Sequence, residues 1–307
     1  NYNHDPVIIE EGVSRKKREI IAPAFAEQVV HHMIVQTLMP MFTKGLYKHS
    51  YASIPKRGLH VAAKQIIKWI SKNDRHVKYY LKMDIRKFFE SVDIDILKDM
   101  LRRKIKDEKF LKVVFIVLEG GKKGLPLGFY TSQWFANWYL QDLDHFIKEK
   151  LHAVHYIRYM DDCVIFSSNK KELHKMRESI DQWLREKRNL QLKDNWQVRR
   201  FAYISRKNGK EKGHPLDFLG FQFYRDRMIL RESLMLKATR KAAKLFKKGK
   251  PTIFDCRQMM SYNGFLKLAD CYDMYMKYIF GKANFKRMKK YVSKWDKKHK
   301  FESKLNF

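Results

Sequence analysis

Two adjacent aspartates, Asp161 and Asp162, stand between two short β-rich runs in residues 155–167. Short polar residues tolerate turn geometry, so this segment reads as a hairpin with both acids at its tip. Taken alone, an Asp-Asp pair at a turn is an ordinary turn. A second run, Val-Lys-Tyr-Tyr-Leu-Lys-Met-Asp-Ile at 77–85, has strand character and ends in Asp84. Laid beside the hairpin, that strand would bring three carboxylates together. Magnesium takes hard oxygen ligands and keeps several waters, so a few carboxylates suffice to hold it. Two such ions about 4 Å apart are what phosphoryl transfer to a hydroxyl needs.

The rest of the chain alternates helices and hairpins. Residues 24–39 carry Phe25, Val29, Met33 and apolar residues at 35 and 38 at helical spacing, and residues 60–72 read the same way. Between them Tyr51 to Gly58, with Pro55, reads as a turn or loop. Gly120, Gly121, Gly124, Pro126 and Gly128 punctuate a loop before a long helix containing Trp134, Trp138, Leu143, Phe146, Ile147 and Leu151, with Thr131 or Ser132 as its cap. Residues 171–188 form another amphipathic helix. After a loop at 206–213, residues 216–224 and 228–231 read as a second hairpin. From 232 the pattern is helical and basic, and 285–304 is expected to order only on nucleic acid. Helices mixed with hairpins define an α+β class.

Charge narrows the function. Lys and Arg total 65 against 33 Asp and Glu in 307 residues, a formal net charge of +32. An enzyme of small molecules has no reason to tolerate that self-repulsion, whereas a protein that neutralises a phosphate backbone does. The aromatic content, 14%, supplies stacking surfaces for bases. Cys163, Cys256 and Cys271 lack disulfide-scaffold and zinc spacing, which points to a reducing compartment. No apolar run reaches the roughly 18 residues of a membrane span, and no signal peptide is present, so a cytoplasmic protein without a membrane partner is expected. His31-His32 lies on a helix with no Cys or carboxylate at ligand spacing and reads as structural.

Tyr159-Met160-Asp161-Asp162, between two apolar β-runs, is the tetrapeptide that marks reverse transcriptases. Asp84-Ile85-Arg86-Lys87-Phe88-Phe89 resembles that family's first catalytic motif. The resemblance runs from about residue 15 to 280. It implies a right-hand polymerase fold, with fingers over 1–80 joined by a helical stretch at 100–123, a palm of antiparallel sheet plus helices over 81–231, and a basic helical thumb and tail over 232–307. It implies two Mg²⁺ ions, for which Mn²⁺ can substitute, on Asp84, Asp161 and Asp162, with Ile85 as a further metal contact. Arg18, within Arg-Glu-Ile-Ile-Ala-Pro, resembles the fingers segment that contacts the incoming triphosphate; its plainer reading is a solvated surface arginine. Arg57, within Tyr-Ala-Ser-Ile-Pro-Lys-Arg-Gly, resembles the second fingers motif. Phe89 aligns with the aromatic gate that clashes with a 2′ hydroxyl, against the plainer reading of a core phenylalanine. Phe218, Leu219 and Gly220 resemble the primer grip, and Lys193 the lysine that approaches the triphosphate.

One departure selects a subfamily. Most reverse transcriptases have a Gln-Gly pair in the loop before the long helix, with Ser-Pro four residues on. Here Leu127 precedes Gly128, and Gln133 follows Ser132. That pattern is similar to the reverse transcriptases of diversity-generating retroelements, as are Ser132 to Asn137, Trp196-Gln197-Val198 and Ser261-Tyr262-Asn263-Gly264. Those enzymes copy a template-repeat RNA and misinsert opposite adenine, working with a small basic accessory variability determinant protein. The implied partners are therefore template RNA, the cDNA or primer strand, dNTPs and such a protein, in a bacterial or phage-infected cell. The alternatives are a defence-associated or group II intron-type reverse transcriptase and a non-catalytic RNA-binding protein. The last predicts loss of an acid, and all three acids are present.

Overall fold

The computed structural model describes residues 7–10, 17–72, 74–121 and 123–305. Two compact units emerge, one built on residues 18–214 and the other on residues 215–305. The boundary of contacts thus falls after His214, and residues 215–231, expected with the central sheet, group with the C-terminal helices.

In the first unit, β1 (Val7–Glu10) and β2 (Lys17–Ile20) form a ribbon and lead to α1 (Phe25–Thr43). Next come β3 (Ser50–Tyr51), α2 (Leu59–Ser71), β4 (Tyr79–Met83), α3 (Phe88–Ser91), α4 (Ile94–Arg102) and α5 (Glu108–Leu118). After a glycine-rich loop, α6 (Tyr130–Tyr139), α7 (Gln141–His145) and a π-helical turn (Phe146–Lys150) precede β5 (His155–Tyr159) and β6 (Asp162–Ser167). The unit closes with α8 (Lys170–Arg188), β7 (Gln197–Arg200), β8 (Tyr203–Ile204) and β9 (Glu211–Lys212).

Its main sheet has the order β3-β5-β6-β4-β7, antiparallel except for the parallel β3–β5 pair. The order follows from composition. β6 is central, and its Cys163, Val164, Ile165 and Phe166 are all buried, as expected of a strand covered on both faces. β7 is an edge, where exposed Arg199 and Arg200 guard against pairing with another chain. Leu173, Met176, Ile180 and Leu184, at helical spacing on α8, are buried and belong to the same core as the sheet. Elsewhere in that core, Phe42 of α1 meets Trp134, Phe135 and Trp138 of α6 with ring centroids 5.4–6.2 Å apart.

Two expectations about α6 are corrected. Its N-cap is Phe129, without a side-chain cap bond. Thr131 and Ser132 lie inside the first turn, and Thr131 Oγ1 instead hydrogen-bonds His31 Nδ1 at 2.9 Å. The long helix also breaks at Leu140, so Leu143 to Leu151 belong to separate turns. His31 is fully buried beside Phe129, and His32 stacks on Tyr130 at 4.2 Å, consistent with packing roles for both.

The second unit contains β10 (Leu216–Phe218), β11 (Phe221–Phe223) and β12 (Met228–Leu230) in one antiparallel sheet, then α9 (Glu232–Lys248), α10 (Ile253–Leu266), α11 (Tyr272–Tyr278) and α12 (Phe285–Leu305). The run 216–224, expected as one strand, is folded back on itself because Leu219 and Gly220 take φ of 56° and 85° and make a tight turn. α12 covers the stretch expected to order only on nucleic acid and is a helix here. Met288 is buried on it, and Arg257 of α10 pairs with Asp296 at 2.6 Å. Among the described residues no helix is long and apolar enough to cross a membrane.

Candidate active site

The β4–β6 ladder runs from Tyr79↔Ser167 to Met83↔Cys163. One step past its last pair, Asp84 leaves β4 across from Asp162, the first residue of β6. β5 and β6 join through a two-residue turn, Met160 and Asp161, closed by the Tyr159↔Asp162 pair. The hairpin is as expected, with one refinement: Asp161 occupies the turn and Asp162 the strand. Met160 has φ of 58°, a region that a bulky side chain enters only when its surroundings enforce it.

Beyond β4 the chain keeps a partner on its other side. Lys193 N–H donates to Asp84 O at 2.8 Å, and Arg86 N–H to Gln191 O at 2.9 Å, bracketing an Ile85↔Leu192 bridge. Two things follow. Lys193 is drawn alongside Asp84, and its ammonium pairs with Asp84 Oδ2. Ile85, in a non-hydrogen-bonded pair, turns its own main-chain carbonyl away from Leu192 while its side chain is buried.

The electrostatics are those of crowded like charges. Burial, followed by the negative charge of Asp84 and then that of Asp162, raises the Asp161 carboxyl to about 7. Asp84 Oδ1 is buried with no hydrogen-bond partner among the described residues. Such a cluster destabilises the folded chain. A raised carboxylate pKa means that the native state binds more protons than the unfolded chain between the ordinary value of 3.8 and about 7, so stability falls as pH rises through that window. Asp161→Asn is therefore expected to melt at a higher temperature than the wild type in metal-free buffer. The gain should be absent below the ordinary carboxylate value, grow up to about pH 7 and stay constant above, reaching about 1–2 kcal/mol. Thermal melts across pH in chelator check this, and a variant less stable at pH 8 would refute it.

A family model described as reverse transcriptase (RNA-dependent DNA polymerase) matches residues 9–223. The chain belongs to the reverse transcriptase family. It is 27% identical over 180 residues to the Retron Ec73 reverse transcriptase of Escherichia coli, covering 53% of this chain and 54% of that protein. It is 25% identical over 144 residues to the group II intron-encoded protein LtrA of Lactococcus lactis subsp. cremoris, covering 44% of this chain and 23% of LtrA. The chain thus spans about half the length of the retron enzyme. Among solved structures, apo telomerase from Candida tropicalis matches with a TM-score of 0.52 at 14% identity, over 95% of this chain and 59% of that one. Telomerase from Candida albicans in complex with a telomeric RNA fragment matches at 0.52 and 11%, over 91% and 55%. The α+β architecture is accordingly the right-hand polymerase fold.

Reverse transcriptases use divalent metal ions. Among the described residues no three His, Cys, Asp or Glu side chains stand as a ready-made metal cage. The donor set nevertheless suits a hard cation: Asp84 has an unsatisfied buried oxygen, and burial together with the charges of Asp84 and Asp162 raises the Asp161 carboxyl, a penalty that a bound cation would relieve.

The glycine loop explains where other candidates fall. Gly124 has φ of 59°, and a Cβ there would stand 2.2 Å from Phe89 O; Leu125 N–H donates to that same carbonyl at 2.7 Å. Gly128 has φ of 107°, and its Cβ would stand 2.1 Å from Ile21 O, while Ile21 N–H donates to Leu127 O at 2.8 Å. The two glycines let one loop press its backbone against the Phe89 segment and against the chain leaving β2, with half-buried Leu127 between them. Phe89 is itself half-buried and packs against Phe88 at 5.6 Å. Arg18 is on β2, but its side chain lies outside the described residues, as do residues 14–16 of the basic cluster. Gln133 is exposed on α6. Arg57 closes the 52–57 loop, and its guanidinium donates to Tyr47 O at 2.8 Å. Phe218, Leu219 and Gly220 form the β10–β11 turn of the second unit, where a Cβ on Gly220 would stand 2.8 Å from Leu234.

Sequence reasoning missed Arg158, Asp144 and Asn137, a buried polar group behind the aspartate turn. The available signal was a lone arginine in the apolar run before Tyr159.

Proposed function

We propose that this chain is an RNA-directed DNA polymerase of the diversity-generating kind, copying a template-repeat RNA into cDNA with frequent misinsertion opposite adenine. The observation that carries the polymerase reading is the convergence of Asp84, Asp161 and Asp162 where β4 and β6 end side by side. Two Mg²⁺ ions, or Mn²⁺ in their place, would sit on these carboxylates, with the Ile85 carbonyl beside them. Bound there, they would activate the attacking 3′ hydroxyl and neutralise charge on the leaving oxygen. The chain's own groups do the rest. Lys193 supplies a positive charge at the edge of the acids for the triphosphate of a dNTP, and Arg18 and Arg57 are the fingers residues proposed to contact the same group. Phe89, anchored through its carbonyl by Leu125, is the proposed aromatic gate against a 2′ hydroxyl. Phe218, Leu219 and Gly220 would support the primer strand, and the basic helices of the second unit the RNA–DNA duplex.

Leu127 and Gln133 support the finer reading. Glutamine can hydrogen-bond near a nascent pair and leucine cannot, so a mispaired nucleotide loses less relative to a correct one. Leu127→Gln is expected to lower misinsertion opposite adenine by several-fold, roughly the worth of one hydrogen bond. Sequencing of cDNA made on an adenine-rich RNA template, by wild type and mutant, checks this; equal error spectra would remove Leu127 from the account. A basic accessory variability determinant protein is the proposed partner, and the cytoplasm the proposed site of action. The likeness to retron and group II intron proteins favours a second reading, a defence-associated or intron-type enzyme. Primer extension with all four dNTPs separates them: errors concentrated opposite adenine support diversification, and accurate products support the second reading.

A further inference from the structure

Arg158 lies on β5 in the centre of the first unit, with no solvent exposure, and faces Asp144 of α7, which is equally buried. Its Nε donates to Asp144 Oδ1 at 2.8 Å and its Nη2 to Oδ2 at 2.6 Å, a two-pronged pair that by itself satisfies the buried charge. Tyr156 reinforces the carboxylate, its hydroxyl donating to Asp144 Oδ1 at 2.7 Å. The third nitrogen is left for something else. Nη1 donates to Met160 O at 2.9 Å and to Asn137 Oδ1 at 3.1 Å. Met160 O is the carbonyl immediately before Asp161, in a residue whose φ of 58° is unfavourable for its side chain. Asn137 Nδ2 in turn donates to Ala52 O at 3.1 Å, and Ala52 also has a positive φ, 77°, at the start of the loop that carries Arg57.

We infer that Arg158, oriented by Asp144 and bridged by Asn137, is a positioning residue that sets the aspartate turn and the Arg57 loop in one fixed relation. An ion pair serving stability alone has no need of a third nitrogen that reaches one strained backbone segment directly and a second through Asn137. The parallel β3–β5 pairing joins the same two segments through Arg158 N–H to His49 O at 3.1 Å and Met160 N–H to Tyr51 O at 3.3 Å. The side-chain bridge locks what this short ladder leaves loose. A strained turn persists when its surroundings over-determine it, and an ångström of drift in a reacting group is costly. The inference rests on the reading of Asp161 and Asp162 as the polymerase acids.

The test uses Arg158→Lys and Asn137→Ala in the full chain. Lysine keeps a charge opposite Asp144 but, as a point charge, cannot hold Asp144 and the Met160 carbonyl together. Asn137→Ala leaves the ion pair intact and removes only the bridge, so it carries the test if Arg158→Lys does not fold. Both variants are expected to lose about 10- to 100-fold in kcat for primer extension. KM for dNTP should stay within about twofold, because ground-state binding is not what is lost. Two further readouts do not depend on turnover: Mn²⁺ binding followed by electron paramagnetic resonance should weaken, and amide exchange at residues 159–163 should quicken while the β4 and β6 core is unchanged. Wild-type exchange at the turn together with wild-type kcat in both variants overturns the inference. If wild type itself neither extends a primer nor binds Mn²⁺, the polymerase reading fails, and exchange at the turn alone then decides whether Arg158 and Asn137 position it.

Discussion

Asp161→Asn should stop primer extension, lowering the single-turnover rate by roughly a thousandfold or more, while making the metal-free protein harder to melt. The two halves have one cause. Asparagine keeps the shape of the side chain in the two-residue turn and removes its charge. Burial and the neighbouring Asp84 and Asp162 make that charge unfavourable in the folded chain, so its loss relieves repulsion. The same charge is what a divalent ion needs as a ligand, and a bound ion supplies several kcal/mol of transition-state stabilisation, which corresponds to about three decades in rate. Single-turnover extension on an RNA template, with melting curves on the same preparations, checks both. The stability gain excludes misfolding as the reason for lost activity. A variant that extends within about tenfold of wild type would show that Asp161 is not a metal-holding group.

Gly124→Ala should lower stability by about 2–4 kcal/mol, or melt roughly 5–10 °C earlier. Two penalties coincide there. The left-handed φ of 59° is strained for any side chain, and a Cβ would lie 2.2 Å from Phe89 O and 2.6 Å from Glu90 C. Both obstacles are backbone, so no rotamer change relieves them. The chain must either break the Leu125–Phe89 hydrogen bond or shift the segment after Asp84. Gly209 is the control. Its φ of 65° is similar, yet nothing lies within 4 Å of its Cβ position, so Gly209→Ala should cost only about 1 kcal/mol. Equal melting temperatures for the two variants would mean that the close approach at Gly124 is not maintained in solution. Loss of discrimination against ribonucleotides in Gly124→Ala, at a temperature where it stays folded, would further tie the glycine loop to Phe89.

Much of this was legible in the residues alone. Two β-rich runs around a turn-tolerant Asp-Asp gave the β5–β6 hairpin to within a residue, and the helical spacing of apolar residues gave α1, α2 and α8 to within a few. The Tyr159-Met160-Asp161-Asp162 run between apolar strands singled out the candidate acids, and the excess of lysine and arginine suggested the nucleic-acid partner proposed above. These signals are local: the backbone conformation and the buried face of a segment depend on residues a few positions apart. What the tertiary structure alone decided concerns segments far apart in the chain. β4 sits between β6 and β7, and that placement sets Asp84 across from Asp162 and draws Lys193 alongside it. The turn at Leu219 and Gly220 splits a run read as one strand: the apolar positions 216 and 218 pass to 221 and 223, the change of phase that a two-residue hairpin makes. Arg158 reads as a misplaced charge in an apolar strand until α7 brings Asp144 to it. Periodicity reports which way a side chain points; which group waits there depends on packing between distant segments, where burial sets the energy of every charge.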